Sequence, residues 1–296
     1  MQETGTTALL QAIMSSAAYK LAESDTDFLA LDELRAVRLM LEFLKPDMTM
    51  REHRINSTLV VFGSARILPE KQARALLEQA ESELQAARPG TDTGSLEQAV
   101  NAAKRKLHYA HYYEQARTFS ELVSCQFQHS EQRDFVVVTG GGPGIMMAAN
   151  QGAFDVDCES IGLNITLPHE QQPNPYITPE LAFRFHYFAL RKMHFLLRAR
   201  ALVAFPGGYG TLDELVEALT LVQTGKMEAI PIILFGRSFW EKVLDIPFLV
   251  AEGMIDAADA ELVTYVETAQ EAVEVLKNHY GDTCGHCPVM IPRPAL

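Results

Sequence analysis

Two glycine-rich turns, each set between an apolar run and a helical pattern, are the part of this chain best suited to chemistry. The first is Thr139-Gly-Gly-Gly-Pro-Gly-Ile-Met146, and the second is Pro206-Gly-Gly-Tyr-Gly-Thr-Leu-Asp-Glu214. A strand, a glycine turn and a helix in succession place unpaired backbone N–H groups at the helix N-terminus, where the helix dipole also favours an anion. Two such turns in one chain predict a site for a nucleotide.

The first glycine turn also has a plainer interpretation. Its spacing differs from the G-x-G-x-x-G dinucleotide fingerprint, and no acidic residue clearly ends the next predicted strand. The same glycines would suit a tight strand-to-helix turn that binds nothing. Taken alone, this turn leaves the presence of a ligand open.

Glu214, which closes the second turn, has two interpretations of equal weight on local sequence. Its carboxylate lies beside a predicted anion site and could take part in a reaction there. Thr211 and Glu214 also fit a capping box, in which Thr211 is the N-cap and Glu214 reaches back to its N–H. Three glycines within four residues exceed what a cap needs, however, and favour a loop wrapped around an anion.

A predicted helix over Pro179–Ala199 carries basic residues toward the second turn. Arg184, Arg191 and Arg198 are seven residues apart, so they form one stripe on this helix. We expect Arg184 and Arg198 to lie on a solvated face with salt bridges. If the helix runs antiparallel to the next strand, its N-terminal half with Arg191 is aimed at the second turn, where a planar guanidinium suits a phosphate; Lys192 is adjacent.

The elements that must position these residues alternate between strand and helix. Six short apolar runs are mostly continuous, as in parallel strands buried on both faces, and helical patterns separate them. This order predicts an α/β fold with a Rossmann-like, doubly wound parallel sheet that binds ligands at the carboxyl ends of its strands. The predicted strands are Leu59–Phe62, Phe135–Thr139, Ile161–Leu167, Ala201–Phe205, Pro231–Phe235 and Val263–Val266. The predicted helices are Pro69–Ala87, Leu96–Gln128, Ile145–Phe154, Pro179–Ala199, Leu212–Gly225 and Phe239–Glu252.

The pattern divides the chain into three parts. We expect residues 1–53 to form an amphipathic N-terminal helical extension and residues 54–280 to form a Rossmann-like nucleotide-binding domain that would carry any catalytic residues. A helical hairpin is inserted in that domain at about residues 70–128, with a turn-rich link at residues 88–95. Residues 281–296 are rich in proline and predict a flexible C-terminal tail.

Composition and charge exclude several classes of function. The formal net charge is −13, which disfavours a general nucleic-acid binder because such proteins need a basic surface. Four cysteines without a disulfide pattern indicate a reduced compartment. No leader peptide is evident, and no apolar run approaches the roughly 20 residues that cross a bilayer. We therefore expect a soluble, cytoplasmic protein with no membrane partner.

The motifs resemble the signature of the Lonely Guy (LOG) family. The resemblance rests on Gly140-Gly-Gly-Pro-Gly-Ile-Met146, on Arg191-Lys192, and on Pro206-Gly-Gly-Tyr-Gly-Thr-Leu-Asp-Glu214, with an opening loop at Val61-Phe-Gly-Ser-Ala-Arg66. It covers roughly residues 59–235, and the long flanking regions are similar to those of longer bacterial members. Family members are phosphoribohydrolases of cytokinin riboside 5′-monophosphates, many bacterial ones cleave AMP, and older descriptions called them lysine decarboxylases.

The resemblance implies a site without a metal or a cofactor. Arg191 and Glu214 would be the catalytic pair, and whether Glu214 or the neighbouring Asp213 activates the water stays open. A carboxylate is suited to this reaction because cleaving an N-glycosidic bond generates an oxocarbenium-like sugar that it stabilises. The substrate-binding residues would be Gly63, Ser64, Gly141, Gly142, Met146, Lys192, Gly207, Gly208, Tyr209, Gly210 and Thr211. The resemblance also implies a homodimer or larger homo-oligomer with the active site near the subunit boundary.

Three functions are therefore weighed. The leading one is hydrolysis of a purine nucleoside 5′-monophosphate, AMP or a cytokinin ribotide, to free base and ribose 5-phosphate. The alternative is a non-catalytic carrier of a nucleotide or of molybdenum cofactor on the same fold. A decarboxylase would need a lysine that forms a Schiff base with pyridoxal phosphate, and no lysine has a suitable setting.

Several other polar residues have weaker signals. Ser64 is equally well explained as a plain turn serine. Loop polarity accounts for Asn164, His169 and Glu170 at the end of the third strand, and packing accounts for His186 and His194. The single C-x-x-C pair formed by Cys284 and Cys287 lacks the second ligand pair of a zinc site and favours an irregular tail.

Overall fold

The fold is a seven-stranded, entirely parallel sheet flanked by helices, as a computed structural model describes it for residues 2–87, 93–128, 133–166 and 172–281, with side chains from residue 5 onward. The strand order is β4-β3-β2-β1-β5-β6-β7, with the order reversing at the central β1. The Rossmann-like α/β prediction is confirmed. The strands are β1 (Thr58–Phe62), β2 (Val136–Thr139), β3 (Ser160–Ile165), β4 (Ala182–Phe185), β5 (Ala199–Ala204), β6 (Ile232–Phe235) and β7 (Val263–Val266).

All six predicted strands are present, and the sheet has one more. The helix predicted over Pro179–Ala199 is wrong in its first half, where a short 3-10 turn at Pro179–Leu181 leads into β4. Only every second residue of β4 is buried, and the strand pairs with β3 alone at the sheet edge. Edge pairing is a long-range interaction, which local periodicity does not report.

The described residues contain twelve α-helices. They are α1 (Gln2–Ser15), α2 (Thr26–Leu29), α3 (Arg35–Glu52), α4 (Glu70–Gln85), α5 (Gly94–Tyr109), α6 (His111–Phe127), α7 (Ile145–Phe154), α8 (Phe188–Leu196), α9 (Tyr209–Gln223), α10 (Arg237–Val243), α11 (Ile246–Ala251) and α12 (Ala269–Tyr280).

Two predicted helices are each divided in two. The helix predicted over Leu96–Gln128 breaks at the fully buried Ala110, so α5 completes a hairpin with α4 while α6 packs in the core. The helix predicted over Phe239–Glu252 breaks before Asp245, whose side chain caps the new helix α11. The inserted hairpin is thus shorter than predicted.

Alternate residues of the central strand β1 belong to two separate hydrophobic cores, one on each face of the sheet. Leu59 and Val61 of β1 pack with α6, α7 and α12 on one face. Val60 and Phe62 pack with α8, α9 and α10 on the other. This double burial explains why the strands are apolar throughout.

Close packing divides the described residues into two compact units, one up to Lys45 and one from Pro46 onward. The first contains α1 and α2 and exposes large apolar side chains such as Leu9, Ile13 and Met14. The second contains the whole sheet. None of the helices in the described ranges is both long and apolar enough to span a membrane.

Candidate active site

The second glycine turn begins α9 without help from any side chain. The N-cap is Gly208, in an extended conformation, and α9 starts at Tyr209. The capping-box interpretation is therefore wrong, because Thr211 is the third residue of the helix rather than its N-cap. The N–H groups of Tyr209 and Gly210 belong to the first turn, where a helix supplies no acceptor of its own. They remain available to an anion, and Glu214 is not used as a cap.

The outer surface of this turn is open. A Cβ atom placed on Gly208 or Gly210 would meet nothing within 4 Å, and the Tyr209 side chain is 92% exposed. Gly207 differs, since a Cβ there would lie 2.1 Å from Oγ1 of the buried Thr211. Thr211 therefore supports the turn from inside, while the glycines on either side of Tyr209 leave room for a ligand.

Glu214 carries its carboxyl group into the interior. The residue is 5% exposed, and no described residue forms a hydrogen bond with its Oε2. Burial raises the pKa of Glu214 to about 7, although the positive charges of Lys192 and Arg191 oppose the rise. A buried carboxyl without a hydrogen-bond partner is costly for folding, so it indicates a group kept for a reaction or a ligand.

Lys192 is held among carboxylates. Its Nζ atom lies 2.8 Å from Asp213 Oδ2, 2.8 Å from Glu217 Oε2 and 3.9 Å from Glu214 Oε2. Burial lowers the Lys192 pKa, but the hydrogen bonds to Asp213 and Glu217 outweigh it, so the net pKa is raised. The ammonium therefore stays charged beside Glu214. Its two short contacts go to protein carboxylates.

Arg191 lies between β3, to which it donates a hydrogen bond, and Gly140, which follows β2. Its Nε donates to the Leu163 carbonyl oxygen at 2.7 Å, and its guanidinium lies 5.1 Å from the centroid of the Phe195 ring. A Cβ atom on Gly140 would be only 2.5 Å from the terminal Nη2. Burial lowers the Arg191 pKa, and the negative charge of Glu214 opposes that shift. Arg191 and Glu214 thus act on each other's ionisation across one site.

The predicted arginine stripe does not form. Arg184 lies in β4, where its Nε donates to Thr166 Oγ1, and Arg198 follows α8. Arg198 is also not on a solvated face, since it pairs with the buried Asp47. Arg191 alone of the three lies in α8, because the chain before residue 188 pairs with the sheet instead of continuing the helix.

The first glycine turn lies beside the guanidinium. Gly140 is enclosed by the Arg191 side chain and the sulfur of Met146. Gly141 has a φ of +72°, and a Cβ there would lie 2.5 Å from the Asn164 amide. The turn therefore has no room for side chains and approaches Arg191 through its backbone.

Ser64 joins the two turns through its main chain. Its N–H donates to the Pro206 oxygen at 3.0 Å, and its carbonyl oxygen accepts the Ile145 N–H at 3.2 Å. Its Oγ accepts the Arg66 N–H, as in a plain serine turn. The preceding Gly63 packs directly on the Ile145 side chain.

Sequence reasoning missed a buried amide network beneath the first turn. Thr139 Oγ1 accepts the Gly141 N–H and donates to Asn150 Oδ1, while Asn150 Nδ2 donates to Ser160 Oγ. Asn174 completes it by donating to Asn150 Oδ1. The fully buried Asn150 follows two alanines on α7, and this polar residue within an apolar pattern was the available signal.

The remaining residues singled out from the sequence divide into two groups. His194 is buried against the Phe185 ring, and the His186 ring contacts that of Tyr187. The other four, His169, Glu170, Cys284 and Cys287, lie outside the described residues. Among the described residues, no group of three or more His, Cys, Asp or Glu side chains is arranged to hold a metal ion.

Comparison with known proteins identifies relatives of this chain. A family described as "Possible lysine decarboxylase" matches residues 146–276. Cytokinin riboside 5′-monophosphate phosphoribohydrolase LOG3 of Arabidopsis thaliana is 30% identical over 152 residues, which are 50% of this chain and 69% of that protein. The probable cytokinin riboside 5′-monophosphate phosphoribohydrolase LOGL3 of Oryza sativa subsp. japonica is 28% identical over 152 residues, 49% of this chain and 68% of that protein.

Among solved structures, a molybdenum cofactor binding protein from Rippkaea orientalis is similar at 19% identity and a TM-score of 0.41, covering 57% of this chain and 87% of that one. With so low a TM-score, this likeness carries no weight for function. The sequence relatives do carry weight, since one of them is matched over more than two thirds of its length at 30% identity. The chain belongs to the LOG family, whose matched members are named cytokinin riboside 5′-monophosphate phosphoribohydrolases.

Proposed function

We propose that this protein hydrolyses the N-glycosidic bond of a purine nucleoside 5′-monophosphate, AMP or a cytokinin ribotide, to free base and ribose 5-phosphate. The observation that carries the proposal is the buried Glu214, whose Oε2 has no hydrogen-bond partner among the described residues, in the helix that starts at the open glycine turn. Its relatives' names support a phosphoribohydrolase at the level of the family.

The 5′-phosphate is placed at the second glycine turn in this proposal. The N–H groups of Tyr209 and Gly210 donate to it, and the dipole of the fifteen-residue α9 adds to the attraction. Arg191 supplies a permanent positive charge beside the first turn. Fixing the phosphate converts remote binding energy into correct placement of the glycosidic bond.

Glu214 then acts at the anomeric carbon. The bond from C1′ to the base nitrogen breaks, the water oxygen bonds to C1′, one water proton goes to the departing base, and the other stays on the new hydroxyl. The ionised carboxylate stabilises the positive charge that develops on the sugar. Its pKa of about 7 also suits a group that exchanges a proton near neutral pH.

Asp213 is the weaker candidate for activating water. Its side chain is 57% exposed and forms an ion pair with Lys192, so it lacks the burial that raises the pKa of Glu214. We therefore assign the proton transfer to Glu214.

A panel of nucleotides tests the proposal. AMP, GMP, CMP, IMP and prenylated AMP are incubated with the protein, and free base and ribose 5-phosphate are measured together. We expect equimolar base and sugar phosphate from at least one purine nucleotide. Tight binding without base release from any of them would support the non-catalytic carrier instead.

We also propose that the protein forms a homo-oligomer whose subunit interface lies beside this site. An open groove of about 830 Å³ runs along α9, where Leu212, Val216 and Leu221 lie beside Gly210 and Lys192. Apolar side chains exposed at the rim of a site suit contact with a second copy. Mass photometry of the wild type and of Val216→Arg should show an oligomer that the charged variant dissociates.

A further inference from the structure

Asn174 binds the first glycine turn through both its backbone N–H and its side-chain amide. Its backbone N–H donates to the Gly141 oxygen at 2.8 Å, and its Nδ2 donates to the Gly142 oxygen at 3.1 Å and to Asn150 Oδ1 at 3.0 Å. Its Oδ1 accepts the Tyr176 N–H at 3.2 Å. The residue is 7% exposed, so these bonds are shielded from water.

These bonds fix the orientation of the peptide groups in the turn. In a trans peptide, the N–H points opposite to the preceding carbonyl. Because Asn174 holds the Gly141 carbonyl on its own side, the Gly142 N–H must point away from Asn174. The next peptide group ends at Pro143 and has no N–H.

The Gly142 N–H has no protein acceptor among the described residues, although Gly142 is buried. The Gly141 N–H differs, because Thr139 Oγ1 accepts it. Buried backbone donors are nearly always paired, so an unpaired one calls for a missing partner. The turn that carries this donor lies against the Arg191 guanidinium through Gly140.

We propose that Asn174 is a positioning residue of the nucleotide site. By holding the carbonyls of Gly141 and Gly142, it directs the Gly142 N–H toward an oxygen of the ribose 5-phosphate portion of the substrate. The inference rests on the proposed function, because it assumes a mononucleotide bound between the turns. Asn174 itself touches no substrate atom.

Two substitutions at this position test the role. Asn174→Ala and Asn174→Asp keep the main-chain bond to the Gly141 oxygen but remove the amide donor that holds the Gly142 oxygen, so the turn loses one of its two bonds to this residue. Only the second variant adds a charge, so agreement between them excludes a charge effect. Thr178→Val is the matched control. Thr178 lies in the same segment and accepts the Ser160 N–H through its side chain, but it makes no recorded hydrogen bond to the turn.

Binding is measured by calorimetry with AMP and with ribose 5-phosphate, in a Glu214→Gln background that prevents turnover. We expect both Asn174 variants to bind about tenfold more weakly, the loss that follows when one hydrogen bond of typical strength disappears. Thr178→Val should bind as its parent does, even if its melting temperature falls as much. Equal binding by the folded Asn174 variants and their parent would overturn the inference.

A measurement without any Asn174 variant guards against misfolding. In protein labelled with ¹³C′ and ¹⁵N at glycine, the Gly142 amide proton should move downfield when AMP or ribose 5-phosphate is added, as a new acceptor reaches it. An unmoved resonance at saturation would contradict the inference while leaving the proposed hydrolysis intact. If the wild type binds neither compound, the proposed function and the inference both fail.

Discussion

The same four-residue pattern, Thr-x-x-Glu, occurs near the start of two helices and has opposite outcomes. At α12, Thr268 Oγ1 accepts the Glu271 N–H at 3.2 Å, and Glu271 Oε2 accepts the Thr268 N–H at 3.3 Å, which is a complete capping box. At α9, Thr211 and Glu214 lie inside the helix and form no such box.

Glycine accounts for the difference between the two helices. Before α12 the chain has Glu267 and Thr268, and the helix begins only where the threonine can cap it. Before α9 the chain has two glycines, so the helix begins at Tyr209, ahead of Thr211. The carboxylate of α12 caps the start of its helix, whereas that of α9 is buried and takes no part in capping. A capping motif therefore does not exclude a reactive carboxylate when glycines precede it.

The largest expected difference between the two helices is in kcat when Glu214 or Glu271 is replaced by glutamine. Glu214→Gln should lower kcat for base release by about 10³-fold, since it removes the charge that stabilises the developing sugar cation. Glu271→Gln should leave kcat within about twofold, because it changes only the cap of a different helix. Both are measured by release of adenine from AMP, and comparable losses in the two variants would contradict the distinction.

The stability of the protein should depend on pH because Glu214 is buried. The pKa of Glu214 is raised from 4.5 to about 7 in the folded state, so the folded protein holds a proton that the unfolded chain has lost. Its contribution to the free energy of unfolding is therefore full below about pH 4.5 and is lost as the pH rises to about 7, a difference of roughly 3 kcal/mol.

Glu214→Gln should consequently be more stable than the wild type at pH 8 and close to it at pH 4. Urea unfolding at the two pH values measures the difference, with Glu271→Gln as the control that removes an exposed capping carboxylate instead. Parallel stability curves for the wild type and Glu214→Gln would show that the carboxyl is not buried as described.

The ionisation of Glu214 should also depend on its neighbour on α8. Lys192→Gln removes the ammonium 3.9 Å from Glu214 Oε2 and leaves Asp213 and Glu217 unneutralised. All three changes raise the pKa of Glu214, so the acid limb of the kcat/KM profile should move to higher pH by about one unit. If the acid limb stays at the same pH in Lys192→Gln, Glu214 is not the group whose titration produces that limb.

The smallest expected effect concerns the cap itself. Thr268→Ala removes the acceptor for the Glu271 N–H and should lower the free energy of unfolding by about 1 kcal/mol, the usual cost of a lost N-cap. Turnover should not change. Thermal unfolding and adenine release, measured on the same preparation, distinguish this loss from any effect on the site.

Sequence patterns predicted the sheet well because its strands are buried on both faces. A run such as Leu59–Phe62 is apolar throughout, and that feature is visible without knowledge of its neighbours. Strand β4 was missed because Ala182-Phe-Arg-Phe185 is short, alternates in burial and exists through pairing with β3. The turns of the candidate site were predicted from their glycines, because glycine is the residue typical of a positive φ or of a close approach to the backbone.

What the sequence could not provide was the exact start of α9 and the partners of buried polar groups. Whether Glu214 caps a helix depends on the backbone of Gly208, which local pattern leaves open. The bonds of Asn174 to the first turn join residues more than thirty positions apart, so no short motif records them. The site residues themselves stay predictions until substrate is measured.

The two main-chain bonds by which Ser64 joins the glycine turns determine which substitutions the chain can accept at and around residue 64. Both of its bonds use main-chain atoms, so the spacing of the turns is indifferent to the identity of the side chain at residue 64. The restriction falls on the flanking positions instead: a Cβ on Gly63 would overlap Ile145, and one on Gly144, at a φ of +71°, would overlap the Ser64 oxygen. A substitution at Ser64 should therefore leave the spacing of the two glycine turns unchanged, whereas an alanine at either glycine would push the two turns apart.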